Sequence, residues 1–392
     1  MTIYVLMMLG ILFAGLFRDK SANPIAAHQG GVNMPIVKRR SYYAIFILFF
    51  LWIFLAFRGP EIGSDTPTYV DMFDKMRAWV ESNRGNILSQ LFVKDEELRY
   101  ETGYMVLNRI VAIFTDEHQW LFAIVATFCL YVCYRFILDE SKEIMISLFL
   151  FVSLRFYYFL MSGLRQAIAI YICVIAYKFI KNRQLVLFVL TVLLAMQFHV
   201  TAVVFFVAYP ISYFKFNVQN IIWMSMAGVV VFLSFNKILG AVLGALPEYY
   251  EHYTSTERFE ANKVGNIMVA AIQVVFLLVS VFSKYGMEQE ERNVGFVSRE
   301  FDEASFMKFM MLISIVLSIV SLRATTLDRL FYYFWIFAIV CIPNMLQGIE
   351  RDSDRMTLNI GTVVFTFIYN VTLLYFRPEW NNITPYVFFW QK

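Results

Sequence analysis

Long apolar runs separated by short polar stretches set the pattern of this chain. A helix crosses a bilayer in about 17–25 residues, or somewhat fewer when short. Runs of that kind fall at 3–17, 42–57, 119–138, 144–160, 165–180, 184–198, 200–213, 219–239, 264–283, 306–322, 327–346 and 357–376. A segment in lipid has to satisfy its own backbone, so each run predicts a helix. The expected fold is all-α, a polytopic membrane protein of about twelve transmembrane helices. The run 103–114, GYMVLNRIVAIF, is shorter and amphipathic, and predicts a half-inserted or interfacial helix within a long outer loop, 58–118. No internal repeat or separable linker interrupts the pattern, so residues 1–392 are expected to form a single integral membrane domain.

Composition agrees. The chain is 59% hydrophobic and 16% charged, where a soluble domain is roughly 45–50% apolar and 25% charged. Cys129, Cys133, Cys173 and Cys341 lie inside apolar runs and read as small buried hydrophobes. The N-terminal MTIYVLMMLGILFAGLF lacks a basic leader and a small-residue cleavage site, so it reads as a retained first span.

The net charge of +3 is too small to point to nucleic acid, and the basic residues report topology instead. Arg18, Lys20, Lys38, Arg39 and Arg40 share loop 18–41, and Lys178, Lys181 and Arg183 share loop 178–183. Lys215, Lys284, Arg292, Arg299, Arg351 and Arg355 fall in loops of the same parity. Making these loops cytoplasmic puts both termini outside, together with loops 58–118 and 240–263. Arg58, Asp65, Glu101, Arg165, His199, Arg323 and Arg329 then all sit at the outer side. Ionisable groups near hydrocarbon are expensive and mark pathways or sites, so this convergence predicts one outward-facing polar chamber.

Five segments carry the candidate chemistry. RGPEIGSDTPTYVDMF turns the chain after the second span and presents Arg58, Asp65 and Thr66. ETGYMVLNRI brings Glu101 and Tyr104 to the start of the amphipathic helix. SGLRQAIAI places Arg165 and Gln166 between two apolar runs, where a guanidinium fork can hold a diphosphate or carboxylate, or can snorkel to lipid phosphates. LAMQFHVTAVV sets His199 at a predicted break between short helices. SLRATTLDRLFYYF offers Arg323 and Arg329, with Asp328 as a possible structural counter-ion. Asp352-Ser353-Asp354 is a DxD, but it lies in a predicted short inner loop with no nucleotide-binding domain around it, so no metal site and no cofactor is expected. No GxxxxGK[ST], HExxH, GxSxG or CxxC pattern occurs.

Taken together these segments resemble the EpsG family, a branch of the Wzy-type polysaccharide polymerases. The resemblance rests on Arg58…Gly63-Ser64-Asp65-Thr66…Tyr69, on Glu101-Thr102-Gly103-Tyr104, and on Ser162…Arg165-Gln166-Ala167…Ala169. It continues through Ala195…Phe198-His199…Thr201-Ala202 to Arg329, Tyr332-Tyr333-Phe334 and Pro343, with Arg323 competing for the role of Arg329. It implies a GT-C-like fold in the bacterial cytoplasmic membrane and a polymerase joining undecaprenyl-diphosphate-linked oligosaccharides on the outer side. The partners implied are lipid-linked donor and acceptor glycans and membrane lipids, with a flippase and a chain-length regulator, and no nucleic acid. Arg58, Arg165, Arg323 and Arg329 would then neutralise the diphosphate, with Thr66, Tyr104 and Gln166 also binding substrate. His199, Asp65 and Glu101 are the candidate bases. Two other readings compete: a transporter or flippase for the same glycans, and a membrane O-acyltransferase.

Overall fold

The computed structural model describes residues 1–17, 41–83, 85–93, 100–234, 237, 263–286, 300–323, 327 and 329–391. The basic loop 18–40, most of loop 240–263 and Asp328 therefore lie outside the described residues. The described residues are helical, and contain no strand beyond an isolated bridge between Arg58 and Phe388.

In chain order the helices are α1 (Thr2–Leu16), α2 (Tyr42–Ala56), α3 (Thr66–Ser82), α4 (Ile87–Gln90), α5 (Thr102–Phe114) and α6 (Gln119–Glu140). Then follow α7 (Ile144–Ser153), α8 (Phe156–Ser162), α9 (Leu164–Lys181), α10 (Leu185–Met196), a 3₁₀ helix Val200–Val207 and α11 (Ala208–Ile211). The remainder are α12 (Val218–Leu233), α13 (Lys263–Val279), α14 (Glu303–Val320), α15 (Tyr332–Trp335), α16 (Ala338–Gln347) and α17 (Asp352–Phe376).

Among the described residues three helices are long and apolar enough to cross a membrane: α6, α14 and α17. The pair α7 and α8, bent by 46°, passes the same test as one broken span. Shorter apolar helices include α1, α2, α5, α10, α12 and Gly265–Val279 of α13. Many large apolar side chains point outward, among them Leu6, Phe13, Phe46, Phe49, Tyr131, Val186, Trp223 and Ile368. Lipid, unlike water, accepts such a surface. The protein is a multi-pass membrane protein.

Two compact units can be described separately. The first comprises 1–175, 193–200 and 351–392, and the second 176–192 and 201–350. In the first, α2 packs on α6, α3 on α5, and α7 on α1, α8 and α17. Polar side chains stitch these helices from within. Tyr157 donates to Leu51 O at 2.9 Å, Tyr43 to Ile11 O at 2.8 Å, Trp52 to Thr127 Oγ1 at 2.9 Å, and Asn370 to Tyr158 Oη at 2.9 Å. Such bonds hold helices where apolar burial gives little net drive, at about 0.6–2 kcal/mol each. In the second unit α14 is the centre, packed by α12, α13, α15 and α16. Asp302 caps α14 by accepting the Ser305 N–H at 3.0 Å. Gly228 of α12 lies so close to Val316 that a Cβ would fall 2.7 Å from its Cγ1.

Several boundaries differ from the sequence expectation. The run 144–160 is not one helix, because Arg155 takes a left-handed φ of 72° and breaks it. The run 327–346 is likewise split into α15 and α16. Loop 58–118 is mostly helical, holding α3, α4 and α5. The DxD is not in a loop: Asp352 and Asp354 occupy the first turn of α17, where carboxylates favour the helix dipole, and Asp352 pairs with Arg355. The expected helix over 103–114 and the expected break at His199 are both present. The four cysteines are buried and not in disulfides.

Candidate functional site

The segment after α2 has little freedom. Gly63 takes φ +106°, and a Cβ there would lie 2.1 Å from Met161 O, so only glycine fits. Beside it, the Thr66 hydroxyl lies 2.7 Å from Ile62 O and 3.0 Å from Met161 O, shared between the end of the turn and the end of α8. These contacts fix Asp65, the half-buried residue preceding α3, with Ser64 Oγ 3.3 Å from its Oδ1.

Arg58 is 1% exposed. Its guanidinium lies 4.1 Å over the Phe122 ring and donates from Nη1 to Leu55 O. Its Nε and Nη2 have no hydrogen-bond partner among the described residues. In this loop burial pulls the guanidinium down to about 10, which leaves it charged at neutral pH. Arg58 thus acts on its surroundings through its field rather than through an open face.

The second wall is built where α5, α9 and the break after α10 meet. Gly103 lets the start of α5 rest on the backbone of Gln197, with a Cβ position only 2.7 Å from Gln197 O. The Tyr104 N–H reaches that same carbonyl at 3.3 Å. Glu101, just before α5, binds at both oxygens: Arg165 Nη1 donates to Oε2 at 2.6 Å, and the Val200 N–H donates to Oε1 at 3.2 Å. The pair is partly buried, with side-chain exposures of 20% for Arg165 and 16% for Glu101. Arg165 stands in the first turn of α9, its guanidinium 4.8 Å over the Tyr100 ring. Gln166 beside it is buried. His199 sits half-buried in the break, one residue before Val200, with its own N–H bound to Ala195 O at 3.1 Å.

Tyr104 packs edge-on against Tyr69, centroids 5.8 Å apart, and its buried hydroxyl has no partner among the described residues. Both phenols lie within electrostatic range of Arg58 and of Arg165. The first unit therefore holds Arg58, Asp65, Thr66, Glu101, Tyr104, Arg165, Gln166 and His199.

Arg323 and Arg329 belong to the second unit. Arg323 is exposed beyond α14, 4.5 Å over the Phe232 ring. Arg329 is half-buried, its carbonyl accepting the Tyr332 N–H at 3.4 Å. Among the described residues no three His, Cys, Asp or Glu side chains gather as they would around a metal ion.

Sequence reading left three parts of this site without a role. Tyr69, named only within the Thr66…Tyr69 stretch, lies on α3, whose buried positions Tyr69, Met72, Phe73, Met76 and Val80 repeat at helical spacing. Arg155 is a lone charge inside an apolar run, the same signal that picked out Arg165. The third part is the extended segment after α17, which lies along the Arg58 loop. There the Gly59 N–H donates to Val387 O at 2.9 Å and the Phe389 N–H to Phe57 O at 3.0 Å. Tyr386 donates to Phe54 O at 2.9 Å, and burial raises its phenol above the ordinary value.

A guanidinium locked to a carboxylate beside a histidine-bearing break, with aromatic rings around it, can neutralise an anion and hold sugar faces. The family model described as EpsG family matches residues 41–388. No curated protein and no solved structure matches the chain.

Proposed function

The chain belongs to the EpsG family, and from that premise we propose that it is a polysaccharide polymerase of the bacterial cytoplasmic membrane. It joins undecaprenyl-diphosphate-linked oligosaccharide units at a site facing away from the cytoplasm, within a GT-C-like fold of about twelve spans. The observation that carries the reading is the Arg165–Glu101 pair, fixed next to the His199 break inside the span that the family model matches.

The acceptor is a sugar hydroxyl on one lipid-linked glycan. Its oxygen attacks the anomeric carbon of the donor glycan, the bond to the diphosphate oxygen breaks, and the lipid diphosphate leaves with the electron pair. The hydroxyl proton passes to a base. Arg165 supplies a planar fork for the leaving diphosphate, with the buried charge of Arg58 adding to the field. Both Glu101 oxygens already accept hydrogen bonds, which makes Glu101 the holder of Arg165 and of the break. The base is then His199 or Asp65, and His199 is the better suited, since an imidazole ordinarily titrates near ~6.5. Tyr104, Thr66 and Gln166 shape the pocket. A flippase delivers the substrates and a chain-length regulator limits the product.

Deleting the gene and resolving the surface glycan on gels tests the activity. Single repeat units on the surface, with polymer restored by the wild-type chain, are expected. Loss of all displayed repeats would assign the protein to transport instead.

A further inference from the structure

The segment after α17 does more than end the chain of helices. Asn381 joins three distant places at once. Its side-chain Oδ1 accepts from Arg155 Nη2 at 3.0 Å, and its backbone oxygen accepts the Ser64 N–H at 3.0 Å and the Ser162 hydroxyl at 2.9 Å. Asn382 continues the seam, taking the Gly63 N–H on its carbonyl at 2.8 Å and donating from Nδ2 to Glu61 O at 3.1 Å. The partners Glu61, Gly63 and Ser64 are the turn that presents Asp65.

The backbone at this junction is under strain. Arg155, Asn381 and Asn382 have φ of 72°, 72° and 47°, the left-handed region that costs a β-carbon energy and persists where the surroundings demand it. Arg155 is buried at the α7–α8 break, and Nη2 also donates to Trp380 O at 3.0 Å. Both of its acceptors are neutral, and it forms no ion pair among the described residues. A buried guanidinium spent on two uncharged oxygens of one turn is an expensive tie, and it fixes where that turn lies.

We propose that Arg155 and Asn381 are positioning residues for the reaction: through the 380–382 turn they set where Ser64 and Asp65 stand in the site. The inference rests on the polymerase reading for its activity arm and on the seam itself for its structural arm. Asp65 is held for contact with the acceptor glycan, so loosening the seam acts on acceptor use.

A spin label on Ser64→Cys, an exposed position whose backbone bond to Asn381 is kept, reports the seam in the full-length protein in nanodiscs. A label at exposed Tyr131 of α6 serves as reference. Arg155→Gln and Asn381→Ala should each raise mobility at position 64 and leave position 131 as it was. Turnover of lipid-linked acceptor should fall about tenfold or more, because small misplacements near reacting groups are costly. Asn381→Asp keeps the oxygen that meets Arg155 and should restore both readouts. Unchanged mobility at 64, or raised mobility with wild-type turnover, overturns the proposal. If the unsubstituted protein makes no polymer, the proposed function falls instead, and the label alone then decides the positioning claim.

Discussion

Arg165 Nη1 lies 2.6 Å from Glu101 Oε2, and the other oxygen of that carboxylate holds the Val200 N–H at 3.2 Å. One side chain therefore joins the first turn of α9, the start of α5 and the break that carries His199. The carboxylate sets the direction of the guanidinium and leaves part of its fork for a second anion.

Removing the charge but keeping the shape tests this. Glu101→Gln is expected to weaken the tie by about 1.5–3 kcal/mol, the scale of a hydrogen bond to a charged group. Polymer yield should fall with it. In a double-mutant cycle Glu101→Gln and Arg165→Gln should cost less together than the sum of their separate effects. Additive losses would mean that the pair does not act as a unit.

Arg165→Lys keeps one positive charge and loses the planar fork. Polymerisation should drop at least about tenfold at equal protein level, the weight of a lost bidentate contact. A lysine variant with full activity, measured with purified lipid-linked substrate, would show that a point charge suffices and that the residue serves the headgroup region.

His199→Gln is expected to reduce turnover by about a hundredfold, the usual contribution of a positioned base, while lipid-linked substrate still binds. Asp65→Asn should instead weaken acceptor use. Long polymer from His199→Gln would pass the base role to Asp65.

Gly63→Ala should destabilise the protein by about 1–3 kcal/mol or more, since it forces a β-carbon into a left-handed backbone against Met161 O. Thermal unfolding in detergent measures it. A variant of wild-type stability would contradict the geometry of the turn.

Asp352→Ala and Asp354→Ala should leave polymer length unchanged, and chelators should have no effect. The first carboxylate pairs with Arg355 and both serve the first turn of α17. Loss of polymer with normal protein level in either variant would bring the metal reading back.

Much of this was legible before the structure. Apolar length alone marked α6, α14 and α17, because a lipid-facing helix needs only to be long and greasy. The α5 helix and the break at His199 were legible from amphipathic spacing and from a polar residue set between two apolar runs. Hydropathy hid α3, because its polar face makes it look like loop unless the spacing of Tyr69, Met72, Phe73 and Met76 is read as well. It also hid the kink at Arg155, whose run carries no other charge. The pairing of Arg165 with Glu101 was not readable at all. The sequence offered several carboxylates for several arginines, and only tertiary packing chooses among them. Arg58 shows the opposite surprise: a charge at the end of a span predicts an open site, and the fold buries it over Phe122.

The seam at Asn381 has a bearing on biogenesis. Asn382 and Glu61 are separated by 321 positions in the chain, yet they share a hydrogen bond. Helices of such a protein enter the bilayer one after another as the ribosome delivers them. The turn bearing Asp65 emerges early and can meet Met161 O of α8, but its bonds to Asn381 and Asn382 wait until the segment beyond α17 has been made. A nascent or prematurely terminated chain would already hold most of its helices in the membrane and still lack the segment that completes the turn. The turn would thus gain its last hydrogen bonds only once residues 381 and 382 have been made.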